Sequence, residues 1–98
     1  GKLKTPYQKI GRWWNAHTEI DIVGISEEDN NILFGECKYY KDGKKMGEKV
    51  YYELKEKAQL VDWNKDSRKE TFILFSASGY TDELKRLANK SKDLILYL

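Results

Sequence analysis

Three charged side chains stand on stretches that otherwise read as apolar strands. Asp21 lies within Glu-Ile-Asp-Ile-Val, and Glu36 and Lys38 lie within Gly-Glu-Cys-Lys. Acids are disfavoured in strands and a buried charge is costly, so such positions call for a partner that offsets the cost. Two apart on a strand, Glu36 and Lys38 share one face, while Cys37 is expected to turn the other way into packing. If the strand of Asp21 pairs with that of Glu36 as a hairpin, the two carboxylates meet and can share a hard divalent cation such as Mg²⁺. That ion prefers oxygen ligands and keeps several waters. Lys38 beside them can orient or activate water and stabilise charge on a phosphate, which is the logic of phosphodiester hydrolysis.

Other residues cluster around this constellation. Glu19 precedes Asp21 by two positions, as an additional metal ligand or as a solvent-facing acid near a strand end. His17, the single histidine, falls in the loop before that strand, where it can assist proton transfer, contact phosphate or simply be a loop residue. Lys41, Lys44, Lys45 and Lys49 follow the Glu-Cys-Lys motif in a stretch with Gly43 and Gly47, which reads as a flexible basic segment suited to phosphate. Arg12 stands beside Trp13 and Trp14, a pair that offers a stacking surface for bases; strand alternation sends at least one ring into the core.

The elements that must position these groups follow from periodicity. Residues 9–14 form a first strand and residues 19–25 a second, in which Ile20 and Ile22 alternate with Glu19, Asp21 and Val23. Residues 26–31 turn the chain, and residues 31–40 form a third strand with Phe34, Glu36, Lys38 and Tyr40 on one face. Over residues 48–64 the period becomes helical, with Tyr51, Leu54, Ala58 and Val61 on one side. Residues 71–76 are a nearly continuous apolar run, as expected of a strand covered on both faces. Gly79 breaks the chain, Thr81 caps a second helix with Leu84, Leu87 and Ala88 on its buried stripe, and residues 94–98 close as a strand. The order β-β-β-α-β-α-β predicts an α/β fold: a meander joined by a crossover helix to a parallel neighbour, giving a mixed central sheet flanked by helices.

Composition bounds the function classes. At 98 residues with 40% hydrophobic side chains, the chain holds one modest core, so residues 1–98 are expected to form a single domain. A net charge of +2 gives no global field for gathering nucleic acid, leaving any such role to local basic patches. One cysteine excludes an internal disulfide and a thiolate zinc cage, and with no spanning apolar run and no signal-peptide core the expected location is the cytoplasm, with no membrane partner. A Gly-rich phosphate loop is absent, so this segment is not itself an ATPase.

Asp21 followed after one hairpin's length by Glu36-Cys37-Lys38, with an amphipathic helix next, resembles the PD-(D/E)XK nuclease superfamily. More narrowly, Gly11-Arg12-Trp13-Trp14, then Thr18-Glu19-Ile20-Asp21-Ile22-Val23, then Gly35-Glu36-Cys37-Lys38, is similar to the domain of unknown function at the C-terminus of archaeal-type AAA ATPases. The resemblance implies a restriction-endonuclease-like fold, with Asp21 and Glu36 as metal ligands and Lys38 as the catalytic lysine. It also implies that Gln59, on the helix after the motif, helps hold the site. Ile20 replaces the proline that names the superfamily. The helix that usually opens such folds is missing from residues 1–5, so the chain is expected to be a C-terminal piece of a longer ATPase-type polypeptide, or to have that sheet face covered by another subunit.

Two functional expectations result. The first is an endonuclease-like enzyme dependent on Mg²⁺ or Mn²⁺ and acting on nucleic acid, DNA in particular. The second is a non-catalytic module of an ATPase that holds DNA or a protein partner through its lysines and aromatic side chains. An uncovered sheet face also predicts self-association into a homo-oligomer.

Overall fold

The computed structural model describes residues 5–97. Seven elements follow one another: β1 (Lys9–Trp14), β2 (Glu19–Ser26), β3 (Asn31–Lys38), α1 (Glu48–Ala58), β4 (Lys69–Ser76), α2 (Asp82–Lys90) and β5 (Leu94–Tyr97). The five strands make one sheet in sequential order, antiparallel from β1 to β3 and parallel from β3 to β5. The expected α/β architecture, a mixed sheet carrying helices, is the one observed.

Short polar side chains make both hairpins. In the first, Asn15 Oδ1 accepts the backbone N–H groups of His17 and Thr18, closing the turn on itself. In the second, Ser26 Oγ accepts from Asp29 N, and Asn30 takes the left-handed conformation at φ 49°, which asparagine tolerates. After β3 only crossovers are possible between parallel strands, and both α1 and α2 serve as such.

The core lies between the sheet and these helices. Ile20, Ile32, Phe34, Phe72 and Leu74 from the strands meet Tyr51, Leu54, Ala58 and Leu84 from the helices, with Phe34 and Phe72 stacked at 5.6 Å. At β3 the alternation is strict: Ile32 and Phe34 join this core, and Leu33 and Gly35 face away from it. A Cβ at Gly35 would stand 3.0 Å from Ile22 Cβ and 3.2 Å from Ile73 Cγ2, so only glycine lets these isoleucines close over β3. Trp13 packs against the core while Trp14 is 66% exposed, which divides the tryptophan pair as alternation requires.

Several boundaries differ from those the sequence predicts. The first helix ends at Ala58 instead of continuing to residue 64, because Arg68 supplies donors to its free carbonyls. The guanidinium donates to the carbonyls of Ala58, Val61 and Trp63 at 2.7–2.9 Å, so the chain turns off while Val61 stays buried. The third strand ends at Lys38 rather than residue 40, where Gly43 N bonds back to Tyr40 O in a turn. The last strand covers Leu94–Tyr97, and Leu98 falls outside the described residues. Of the segment expected to lack an opening helix, residues 1–4 also fall outside, and residues 5–8 enter β1 without helical turns. Thr81 caps α2 as expected, accepting Leu84 N at 3.2 Å.

The basic segment is not the flexible loop its glycines suggested. Met46, fully buried, bridges Tyr80: its N–H donates to Gly79 O and its carbonyl accepts from Thr81 N, both at 2.9 Å. Asp42 Oδ1 accepts Lys44 N, and Ser78 Oγ donates to Lys44 O. Among the described residues no helix is long and apolar enough to cross a membrane.

Candidate metal and phosphate site

The site forms where β2 and β3 part. Their paired register runs from Ser26 opposite Asn31 to Ile22 opposite Gly35 and stops there. On its other side β2 is irregular: Gly11 faces Val23, yet Trp13 faces Ile20, so β2 carries one residue more than β1 between these pairs. That irregularity explains how Ile20 and Val23, an odd number of residues apart, both pack on the core. Asp21 sits in it, half-buried, and its Oδ2 accepts the backbone N–H of Cys37 at 3.0 Å. The carboxylate thus takes over as hydrogen-bond partner where the carbonyls of β2 no longer reach β3.

Glu36 follows Phe34 on the core face and is only 7% exposed. Its carboxylate is gripped from both sides. Lys57, from the last turn of α1, places Nζ 3.4 Å from Oε1, and Lys38 places Nζ 3.7 Å from Oε2. Burial pushes the Glu36 pKa up; Lys57 opposes this, Asp21 adds to it, and Lys38 opposes it in turn, leaving the carboxyl above its ordinary value. The negative charge of Asp21 is thus one of those that Glu36 feels.

Cys37 is exposed, contrary to the expectation that it packs, because among the described residues no helix covers the opposite sheet face at the end of β3. Its thiol is pushed up by partial desolvation and by the charges of Asp21 and Glu36, with Arg12 opposing. Arg12 is exposed on β1, the edge strand of the sheet, and its charge is among those that Cys37 feels.

Glu36 pairs with Lys38 and with Lys57, and Asp21 bonds to the backbone of the residue between Glu36 and Lys38. Other expected residues make no side-chain hydrogen bond or ion pair with these groups. Glu19 is exposed opposite Trp14 where β2 leaves the turn of the first hairpin, and His17 is exposed in that turn. Gln59 is exposed at the C-cap of α1, where its backbone N–H meets the carbonyls of Glu56 and Lys57; the side chain that reaches the site from this helix is Lys57. By sequence alone Lys57 is one more surface charge. The signal available was its place: three residues after buried Leu54 and one before buried Ala58, on the flank of the apolar stripe.

Of the basic segment, Lys44, Lys45 and Lys49 line one groove with Lys38, Tyr40 and Gly47, against the start of α1. Lys41 is exposed in the preceding turn. Gly47 caps α1 without any side-chain hydrogen bond, so the positive end of the helix dipole faces the lysines.

The donor set suits a hard cation. Asp21 and Glu36 offer oxygen only, and among the described residues no group of three or more His, Cys, Asp or Glu gathers. Two ammonium groups answer the charge of Glu36.

A family profile described as archaeal and bacterial proteins of unknown function matches residues 1–50, just over half of the chain. An uncharacterized protein of Methanocaldococcus jannaschii is 37% identical over 60 residues, which are 61% of this chain and 14% of that relative. No solved structure matches.

Proposed function

The chain belongs to DUF234, a family of archaeal and bacterial proteins of unknown function, and we propose that it is a PD-(D/E)XK nuclease-type domain that hydrolyses phosphodiester bonds of nucleic acid, DNA foremost. The observation that supports this reading is Asp21 bonded to the backbone N–H of Cys37, the residue next to Glu36, where the pairing of β2 with β3 ends, with Lys38 beside Glu36. Asp21 and Glu36 would hold the metal. Bound Mg²⁺ or Mn²⁺ would polarise a phosphoryl oxygen and acidify a water.

The protein's own groups have separate tasks. Lys38, 40% exposed at its side chain, is accessible enough to orient a water and to stand beside the charge that develops on phosphate. The groove of Lys44, Lys45 and Lys49 continues from Lys38 and would hold the backbone phosphates next along the strand, with Arg12 on the β1 side. The family match is consistent with the resemblance to C-terminal domains of archaeal-type ATPases, so an ATPase domain in the same or a partner chain is the proposed partner, in a reducing cytoplasm that suits the lone free Cys37.

A second reading has an observation of its own. Lys57 and Lys38 already answer the charge of Glu36, so charge balance alone does not require a metal, and the fold would then serve as a non-catalytic module that binds DNA or a protein partner. Calorimetric titration with Mn²⁺ separates the two. Binding that disappears in Glu36→Ala, together with DNA cleavage lost in Asp21→Ala and Lys38→Ala, is expected of the enzyme. Cleavage unaffected by these substitutions rejects it, and absence of metal binding at millimolar concentration leaves the module.

A further inference from the structure

Lys57 has two acidic neighbours within its reach, and it uses one. Its Nζ lies 3.4 Å from Glu36 Oε1, an oxygen of the carboxylate assigned to metal. Glu53 stands four residues earlier on α1, in the acid-before-base order that favours an ion pair along a helix. Glu53 makes no ion pair among the described residues. Glu53 and Lys57, with Thr18, Glu56 and Leu60, line one open groove beside α1. The Lys57 side chain is 31% exposed, which leaves it free to move.

We infer that Lys57 is a displaceable counter-ion of the site: it holds Glu36 Oε1 while no metal is bound and transfers to Glu53 when a divalent cation takes that oxygen. The inference rests on the metal-site reading above. Its physical basis is competition. A nearly buried carboxylate cannot stand unanswered without cost, and an ammonium and a divalent ion held at the same oxygen repel one another. Lys57 thereby keeps the empty site folded and oriented, and weakens metal binding by the strength of its own ion pair. Glu53 lowers that penalty by receiving Lys57 afterwards. Lys57 is therefore a positioning residue, acting through Glu36.

The test is calorimetry of Mn²⁺ alone with the intact chain at pH 8. Lys57→Met is expected to bind Mn²⁺ about fivefold more tightly than the parent, the factor that loss of one partly exposed ion pair corresponds to. Lys57→Arg, which keeps the charge, should stay near the parent. Glu53→Gln should weaken Mn²⁺ binding, and this effect should vanish in the Lys57→Met background, a coupling that a purely structural lysine would not give. Equal or weaker binding by Lys57→Met overturns the inference, as does a Glu53→Gln effect that persists without Lys57. If Mn²⁺ still binds the parent and is lost in Glu36→Ala, that outcome leaves the metal site standing. If neither the parent nor Lys57→Met binds Mn²⁺, the metal reading fails and the inference is overturned with it.

Discussion

Asp21 Oδ2 accepts the N–H of Cys37 at 3.0 Å, so one carboxylate of the site is anchored to the strand that carries the other. The bond gives Asp21 a structural duty as well as a chemical one, and the two can be separated. Asp21→Asn keeps an acceptor for Cys37 and loses the charge. It should fold within about 0.5 kcal/mol of the parent while Mn²⁺ affinity and DNA cleavage both fall by at least about 100-fold. Asp21→Ala should lose the same function and about 0.5 kcal/mol of stability besides, the low end for a lost hydrogen bond, since water can reach the exposed Cys37 N–H. Calorimetry and thermal melting together distinguish the two.

Lys38 should divide binding from chemistry. Its pair with Glu36 is exposed on the lysine side, so Lys38→Gln should cost less than about 1 kcal/mol of stability. Mn²⁺ affinity should change by no more than about threefold, the effect of one exposed charge, since Lys57 and Asp21 still define the site. Cleavage should drop by about 10²- to 10⁴-fold, the range for a group that handles protons in the transition state. A loss of metal affinity equal to the loss of rate would show that Lys38 only supports Glu36.

The raised pKa of Glu36 makes the site a burden on stability at neutral pH. Because the folded-state value lies above the ordinary 4.5, the contribution of Glu36 is most favourable below the ordinary value and is lost as pH rises through the folded-state one. Glu36→Gln should therefore melt higher than the parent at pH 8 in the absence of metal, and the gap should close as pH falls below about 4.5. A parent that outlasts the variant at pH 8 would mean that Lys57 and Lys38 outweigh burial.

The lysine groove should announce itself through salt. Lys44, Lys45 and Lys49 share one groove. With each on one phosphate of a duplex, changing all three to Gln should flatten the dependence of log affinity on log salt by about 2.7, or about 0.9 per contact. Fluorescence anisotropy over a salt series at fixed metal measures this. An unchanged slope places the nucleic acid elsewhere.

Gly35→Ala tests the strand geometry beside Glu36. The added methyl would press on Ile22 at 3.0 Å and on Ile73 at 3.2 Å. Overpacking of that kind should cost the variant about 1–3 kcal/mol. Since Ile22 is the last residue of β2 paired with β3, metal affinity should fall along with stability. Chemical denaturation and Mn²⁺ calorimetry on the same sample check both.

Much of this arrangement was legible in the sequence. Two-residue alternation put Phe34 and Glu36 on one face of the third strand, and the helical period around Tyr51 and Leu54 marked the first helix. The turn expected over residues 26–31 joins β2 to β3. What escaped was non-local. Arg68 ends α1 from ten residues away through carbonyls that no local pattern reveals. The extra residue of β2 has no marker within Glu-Ile-Asp-Ile-Val, because a strand irregularity is defined by its partner's register. Lys57 was hidden by its type: a long amphipathic side chain buries its stem and delivers its charge at a distance, so lysine on a helix flank reads as solvent-facing. Cys37 was misread for the opposite reason, as burial was assigned to a face that α1 and α2 do not cover.

The bridge between Met46 and Tyr80 has a bearing on how the lysines can be engineered. Met46 carbonyl holds Thr81 N, and Thr81 Oγ1 in turn holds Leu84 N, so the strap that carries the lysines is spliced into the first turn of α2. Deleting or transplanting that strap would unlatch the start of α2, and a chimera would have to bring Gly79, Tyr80 and Thr81 with it; single side-chain replacements leave the splice intact.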